Sequence, residues 1–152
     1  VSVVTGVLIS DMQEWVGSDI SIVRAMPNTA IAIQESMTCI SSHNTPQEQL
    51  DYVHDLFSQL GRVAMIEEKL MDASTVLGAC GIAFALRYIR ASIQGGIEIG
   101  FDAKTATLIA AQTVNGAAEL LIQKGSHPEA EIDKVTTPRG CTIAGLNEME
   151  HR

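Results

Sequence analysis

The sequence is short of several things at once. Aromatic residues make up 4% of its 152 positions and charged residues 18%. A core must therefore be built from Leu, Ile, Val, Met and Ala, with close helix contacts. Basic residues are scarce: 10 Lys and Arg stand against 18 Asp and Glu, for a net charge of -8. Phosphate backbones are held by a basic face, so nucleic acid is not an expected partner. The three cysteines, Cys39, Cys80 and Cys141, are odd in number, far apart and free of any Cys-x-x-Cys spacing. That argues against a disulfide framework and a zinc site, and a reducing, cytoplasmic location is expected. The histidines show no metal-ligand spacing, so no metal is expected. His54 and His127 read as surface residues, and no Ser-His-Asp set can be assembled.

Long apolar runs are missing too. The longest stretch, Val76 to Leu86, is interrupted by glycines and ends at Arg87. A membrane span needs roughly 20 apolar residues, so this stretch is expected in a protein core and no membrane partner is expected. Val1 to Val7 is apolar but lacks the basic region and cleavage pattern of a signal peptide. Neither GxGxxG nor GxxxxGK[ST] occurs, so no complete nucleotide-phosphate fingerprint is present.

What is present is a globular balance, 46% hydrophobic. Val1 to Gly6 reads as a buried strand, and Ser10 to Trp15 as a short helix capped by Ser10 with Gln13 as box partner. Ile20 to Met26, Ser36 to Ser41 and Arg62 to Ile66 read as further strands. Between the last two, Thr45-Pro46-Gln47-Glu48 predicts a helix start, with Thr45 as cap and Pro46 at the first helical position. Val53, Leu56, Phe57 and Leu60 then form one apolar stripe, ended by Gly61. Strands alternating with helices predict an α/β layer with a largely parallel sheet. After Glu67 no strand pattern remains. Leu70 to about Ile99 is one helical region dense in Ala and Gly, which implies close backbone approach or a local break. Asp102 caps the next helix. Its broad apolar face (Ala106, Ile109, Ala110, Thr113, Val114, Ala117 and Leu121) is suited to another subunit. Gly125 ends that helix, His127-Pro128 opens a short one, Thr136 to Cys141 is a loop, and Thr142 to Met149 is the last helix. The boundary is placed near residue 66, giving an α/β part (1–66) and an all-helical part (67–152).

Three segments are candidates for chemistry. In Lys134 to Leu146, Pro138 and Gly140 shape a tight loop, and Thr142 falls at or near a helix N-terminus. Free amides and the positive dipole end there suit a carboxylate, and Thr137 and Thr142 add hydroxyls. The plainer reading is that Thr142 merely caps the helix. Asn28 follows a strand, where α/β sheets gather ligands; an ordinary Pro-Asn turn is the equal alternative. In Leu77 to Ala83, two glycines three apart fit close helix packing better than a phosphate cradle. Cys80 there reads as a small buried hydrophobe.

Taken in order, these segments resemble pyrroline-5-carboxylate reductase. The resemblance rests on Ile22-Val-Arg-Ala-Met-Pro-Asn-Thr29; on Asp72-Ala-Ser-Thr-Val-Leu-Gly-Ala-Cys-Gly-Ile-Ala83, a degraded form of the family's Ser-Gly-Ser-Gly-Pro-Ala helix; on Ala110-Ala-Gln-Thr-Val-Asn-Gly-Ala-Ala118; on His127-Pro128; and on Asp133 to Leu146, the most diagnostic stretch. It implies the end of an NADP-binding Rossmann domain followed by a helical dimerisation domain. It also implies a chain beginning near the sixth Rossmann strand, with the pyrophosphate loop and the closing C-terminal helix absent. The implied reaction is hydride transfer from NADPH (or NADH) to the C=N carbon of a cyclic imino acid, giving L-proline. Thr137, Arg139, Gly140, Cys141 and Thr142 would hold the substrate, with the Thr142 hydroxyl near the ring nitrogen in the catalytic position. Asn28 would lie beside the nicotinamide. A homodimer or larger homo-oligomer through the helices is implied, and these residues alone are expected to be inactive. Arg139 stands where the family usually has a second Gly, Cys141 replaces Ala or Thr, Cys80 a Ser, Ile82 a Pro, and Ala30 a second Pro after Asn28. The degraded glycine-proline motif favours one alternative, a non-catalytic dimerisation or regulatory module on a reductase-like scaffold.

Overall fold

A computed structural model describes residues 1–151. It divides into two compact units, Val1–Tyr88 and residue 89 onward. In the first unit, α1 (Ile9–Val16) precedes β1 (Ile22–Met26), β2 (Ser36–His43), α2 (Gln47–Ser58) and β3 (Gly61–Met65). The three strands form one sheet in the order β1-β2-β3. β2 and β3 run parallel, with Ser36 opposite Gly61, while β1 runs antiparallel to β2, with Met26 opposite Cys39. The sheet is therefore mixed where a largely parallel one was expected. Side chains alternate along β1. Val23 and Ala25 join Ile40, Val53 and Phe57 in one core under α2, and Ile22 packs with Ile9 and Met12 of α1 in another.

Several local expectations shift. Val1 to Gly6 forms no buried strand. Only Ser2 pairs, in a parallel bridge to Arg24, while Val1, Val3 and Val4 are exposed and Gly6 turns the chain at φ 75°. Leu8, not Ser10, holds the cap position of α1, and Asp11 supplies the anchoring carboxylate by accepting from the Leu8 N–H at 3.3 Å. In α2, Pro46 itself is the cap residue, and Thr45 donates its hydroxyl to the His43 carbonyl. The proline ring fixes φ near the helical value but removes a donor, so the residue before it stays extended and helix winding begins at Gln47. Of the α2 stripe, Val53 and Phe57 are buried and Leu60 partly so, whereas Leu56 is exposed. Gly61 is required where β3 starts. Its φ is 138°, and a Cβ there would lie 2.1 Å from the Ser36 carbonyl oxygen.

The helical run after the sheet is not uniform. A single 3₁₀ turn (Glu68–Leu70) leads into α3 (Met71–Ser74), six residues of π-helix (Thr75–Cys80) and then α4 (Gly81–Glu98). Ser74 and Thr75 both donate their hydroxyls to the Met71 carbonyl, at 2.8 and 3.0 Å. Such back-bonding bends helices, and it stands immediately before the segment where the winding widens. Met71 is buried, but Val76, Leu77 and Phe84 are exposed. Much of the stretch expected in a core is thus exposed, with only Gly78, Ala79, Gly81 and Ile82 partly covered among the described residues, and Cys80 is exposed as well. Taken as one run, Glu68–Glu98 is long and apolar enough to cross a membrane by length and composition alone, and none of its most apolar window is buried.

In the second unit, the end of α4 is followed by α5 (Ala103–Lys124), α6 (Pro128–Val135) and α7 (Cys141–Glu150). Asp102 caps α5, its Oδ1 accepting from the Lys104 and Thr105 N–H groups at 3.0 and 3.1 Å. The bonds from Thr105, first, and the Lys104 amide hold its carboxyl below the usual aspartate value. Gly125 ends α5 in the left-handed conformation. Gly96 shows the close approach expected of the small residues, since a Cβ there would lie 3.2 Å from the Ala106 Cβ; Gly78 and Gly95 face open space. Ala106 and Ala110 are buried, while Leu108, Ile109 and Ile122 on α5 are exposed.

Candidate functional site

In the first unit the candidate is Asn28, just past the end of β1. Its backbone N–H donates to the Ser36 hydroxyl at 3.2 Å, and that hydroxyl pairs with the buried Thr38 hydroxyl on the same face of β2. Its Oδ1 accepts from the Ala30 N–H at 3.1 Å, capping the 3₁₀ turn Thr29–Ile33, and its Nδ2 donates to the Gly78 carbonyl at 3.4 Å. The turn reading is thus realised, and the same residue keeps part of its hydrogen-bonding capacity. A carboxamide has two donors and two lone pairs; one donor and one lone pair remain for a ligand. Asn28 borders a cavity of about 880 Å³ whose other walls include Met37, Val76, Leu77, Ile82 and Phe84. One polar amide on an otherwise apolar wall is the usual make-up of a small-molecule site. The Gly78 carbonyl, from the π-helical segment, was not legible as part of this site. The Ser74-Thr75 pair just ahead of the glycines was the available signal.

In the second unit the loop expected at Thr136 to Cys141 is closed by the Gly140 N–H donating to the Thr137 carbonyl at 2.9 Å. Pro138 occupies the second turn position, and Arg139 the third at φ 60°. Proline followed by a positive φ is the signature of a type II turn, whose third position normally demands Gly. Arg139 therefore adopts a glycine's backbone. A Cβ on Gly140 would meet the Thr137 Oγ1 at 2.5 Å, so this glycine keeps the turn tight. Helix α7 starts at Cys141, one residue before the expected start, with Gly140 at the cap and no side chain capping it. Thr142 is in the first turn rather than at the cap, which removes the plainer reading of that residue. The amides of Cys141, Thr142 and Ile143 open the helix, and the Thr142 hydroxyl, half-buried, has no partner among the described residues. Thr137, Arg139 and Cys141 are exposed. The turn thus brings Thr137, Arg139, Gly140, Cys141 and Thr142 together in one short stretch, with Asn28 in the other unit. Among the described residues no cluster of His, Cys, Asp or Glu could hold a metal ion.

Comparison with known proteins now bears on these segments. Residues 68–152 match the family model described as pyrroline-5-carboxylate reductase dimerisation. The chain belongs to the pyrroline-5-carboxylate reductase family. It is 52% identical to pyrroline-5-carboxylate reductase 1 of Dictyostelium discoideum, over 99% of this chain and 30% of that protein. It is 47% identical to pyrroline-5-carboxylate reductase 2 of the same organism, over 99% of this chain and 56% of that one. Among solved structures, a Plasmodium falciparum pyrroline carboxylate reductase with NADP bound superposes with a TM-score of 0.88 at 30% identity, covering 95% of this chain and 59% of the other. The chain spans about a third to just over half the length of these relatives. Its sequence of elements, a small sheet layer followed by helices, is that of the family. The family model begins at residue 68, whereas the compact units part within α4.

Proposed function

We propose that this chain forms part of a reductase that converts 1-pyrroline-5-carboxylate to L-proline with NADPH. The turn that delivers the uncapped α7 N-terminus carries the reading. Open amides at a helix start and a positive dipole end favour a carboxylate, and the free Thr142 hydroxyl suits a ring nitrogen. Substrate binding is assigned to Thr137, Arg139, Gly140, Cys141 and Thr142, with Thr142 in the catalytic position. Membership in the reductase family supports the assignment.

Asn28 is assigned to the nicotinamide. The fit is chemical: the spare donor and lone pair of its carboxamide match another carboxamide, and the apolar cavity wall suits a flat ring. The cofactor, when bound, supplies the hydride. The chain's own residues orient the ring, hold the substrate carboxylate and shield the pocket from water, which is the protein's share in cofactor chemistry. NADPH is preferred to NADH because the Plasmodium relative binds NADP. Turnover by these residues alone is not expected.

The exposed apolar residues of α4 and α5, among them Phe84, Leu108 and Ile109, are assigned to a second copy of the chain, so that the working form is a homodimer or larger. The family description names dimerisation. Arg87 and Arg90, both exposed within the α4 run, favour a protein partner over a bilayer. Free, unpaired cysteines support a reducing, cytoplasmic location.

The test is NADPH oxidation by the full-length protein with 1-pyrroline-5-carboxylate, with NADH run in parallel and the mass measured by sedimentation. Turnover by a dimer or larger species is expected. Absence of turnover above background overturns the reading. The left-handed Arg139 in a glycine's place favours a second reading, a non-catalytic module on the same scaffold. Titration with proline separates the two, since a reductase binds its product weakly and a scaffold does not.

A further inference from the structure

Arg24 is the most deeply buried charge in the described chain, with only 2% of its surface exposed. It projects from β1 into the α1 side of the sheet. Its Nη1 donates to Glu68 Oε1 at 2.9 Å, while its Nε and Nη2 have no hydrogen-bond partner among the described residues. The same Oε1 accepts the N–H of Ile9, the first residue of α1, at 2.7 Å. One carboxylate oxygen therefore serves as the counter-charge of a buried guanidinium and as a cap for a helix 59 residues away in sequence. A buried charge whose partner is removed is strongly destabilising, so this carboxylate cannot drift from its place at low cost.

Glu68 is also the first residue of the helical run that leads through Met71 to the π-helical segment. Ten residues later the run touches the β1 end again, where the Gly78 carbonyl accepts from Asn28. The two attachments meet β1 and its extension at Arg24 and Asn28, only four positions apart. Met71, buried between them, fixes the intervening turn. The segment 68–78 is thus pinned at both ends to the strand that presents Asn28.

We propose that Glu68 is a positioning residue for the Asn28 site. By fixing the start of the run on Arg24 and Ile9, it sets where the π-helical segment lies and so how the Gly78 carbonyl holds the Asn28 carboxamide. This rests on the reading of Asn28 as a cofactor contact. Glu68 itself touches neither substrate nor cofactor.

The test is the double variant Arg24→Met, Glu68→Leu in the full-length protein, which removes the tether without stranding a buried charge. Hydrogen exchange read by mass spectrometry compares peptides covering residues 71–80 with those of α2, residues 47–58. Expected is about a tenfold rise confined to 71–80, together with a severalfold higher KM for NADPH and an unchanged KM for the imino acid. Equal exchange rises in both regions, or none in 71–80, overturn the proposal, because Glu68 is then only a general stabiliser or has no effect. A localised exchange rise with an unchanged KM for NADPH also overturns it. If the wild-type enzyme itself fails to oxidise NADPH with the imino acid, the functional reading fails separately, and the exchange comparison alone decides whether Glu68 positions residues 71–80.

Discussion

Replacing Arg139 by Gly tests the substrate turn most directly. Arg139 has a φ of 60° in the third position of a turn closed by the Gly140 N–H and the Thr137 carbonyl. An L-residue held in the left-handed region costs about 1–2 kcal/mol, because Cβ crowds the following carbonyl. Glycine removes that strain but adds freedom to the unfolded chain, a loss of about 0.5–1 kcal/mol. The balance favours Arg139→Gly by about 0–1.5 kcal/mol, centred on about 0.75 kcal/mol. The side chain is exposed and has no ion-pair partner among the described residues, so nothing else offsets this gain. Chemical denaturation of the full-length variant should show a small upward shift of the midpoint at unchanged slope. Activity should hold or rise, since the backbone amides of the turn are kept. A lower midpoint would refute the strain argument. A retained midpoint with a large rise in KM for the imino acid would instead add the Arg139 guanidinium to the backbone groups that hold the carboxylate.

Two further outcomes follow from the fold. Gly61→Ala forces a Cβ against the Ser36 carbonyl at a φ closed to L-residues; it should cost about 3 kcal/mol or more, read by denaturation, and a loss under about 1 kcal/mol would mean that the start of β3 can shift freely. Asp102, with its folded pKa lowered by the Thr105 and Lys104 bonds, contributes stability that is complete above the unfolded value, about 4, and lost as pH falls through the lower folded value. Asp102→Asn, which keeps an acceptor, should flatten that acid limb of the stability profile, and an unchanged acid limb would show that the bond does not favour the ionised form.

How much of this was legible depended on how local the cause was. The cap at Asp102, the stop at Gly125 and the Pro128 start are set by a few adjacent residues, and each stands where the sequence places it. His127, read only as a surface residue, also caps α6 by accepting the Glu129 N–H at its Nδ1. The antiparallel course of β1 against β2 depends on a pairing between distant segments, and nothing in either strand's composition states its direction. The π-helical segment follows the Ser74 and Thr75 bonds to the carbonyl of buried Met71, and no residue within it announces the wider winding. Arg24 read simply as one strand residue; its burial against Glu68 is a long-range fact with no local signature. The cluster around Thr142 was visible as a loop and helix start, but the left-handed Arg139 was not, since sequence shows the residue and not its torsion angle.

The six wide-wound residues between α3 and α4 have a further consequence. In an ordinary helix each residue advances the azimuth by about 100°, and a π step accommodates one residue beyond that count. Deleting a single residue from Thr75–Cys80 would let the run close into regular winding with the facing of everything after it nearly unchanged, because six wide-wound residues sweep about the angle of five regular ones. Phe84 and Ala85 would keep the sides they present, whereas the same deletion within the regular winding of Gly81–Glu98 would turn everything beyond it by about 100°. The widened coil is therefore a slack turn: a variant shortened within it should keep its helix content and the surface that those side chains jointly form, whereas one shortened within Gly81–Glu98 should keep the helix and lose that surface.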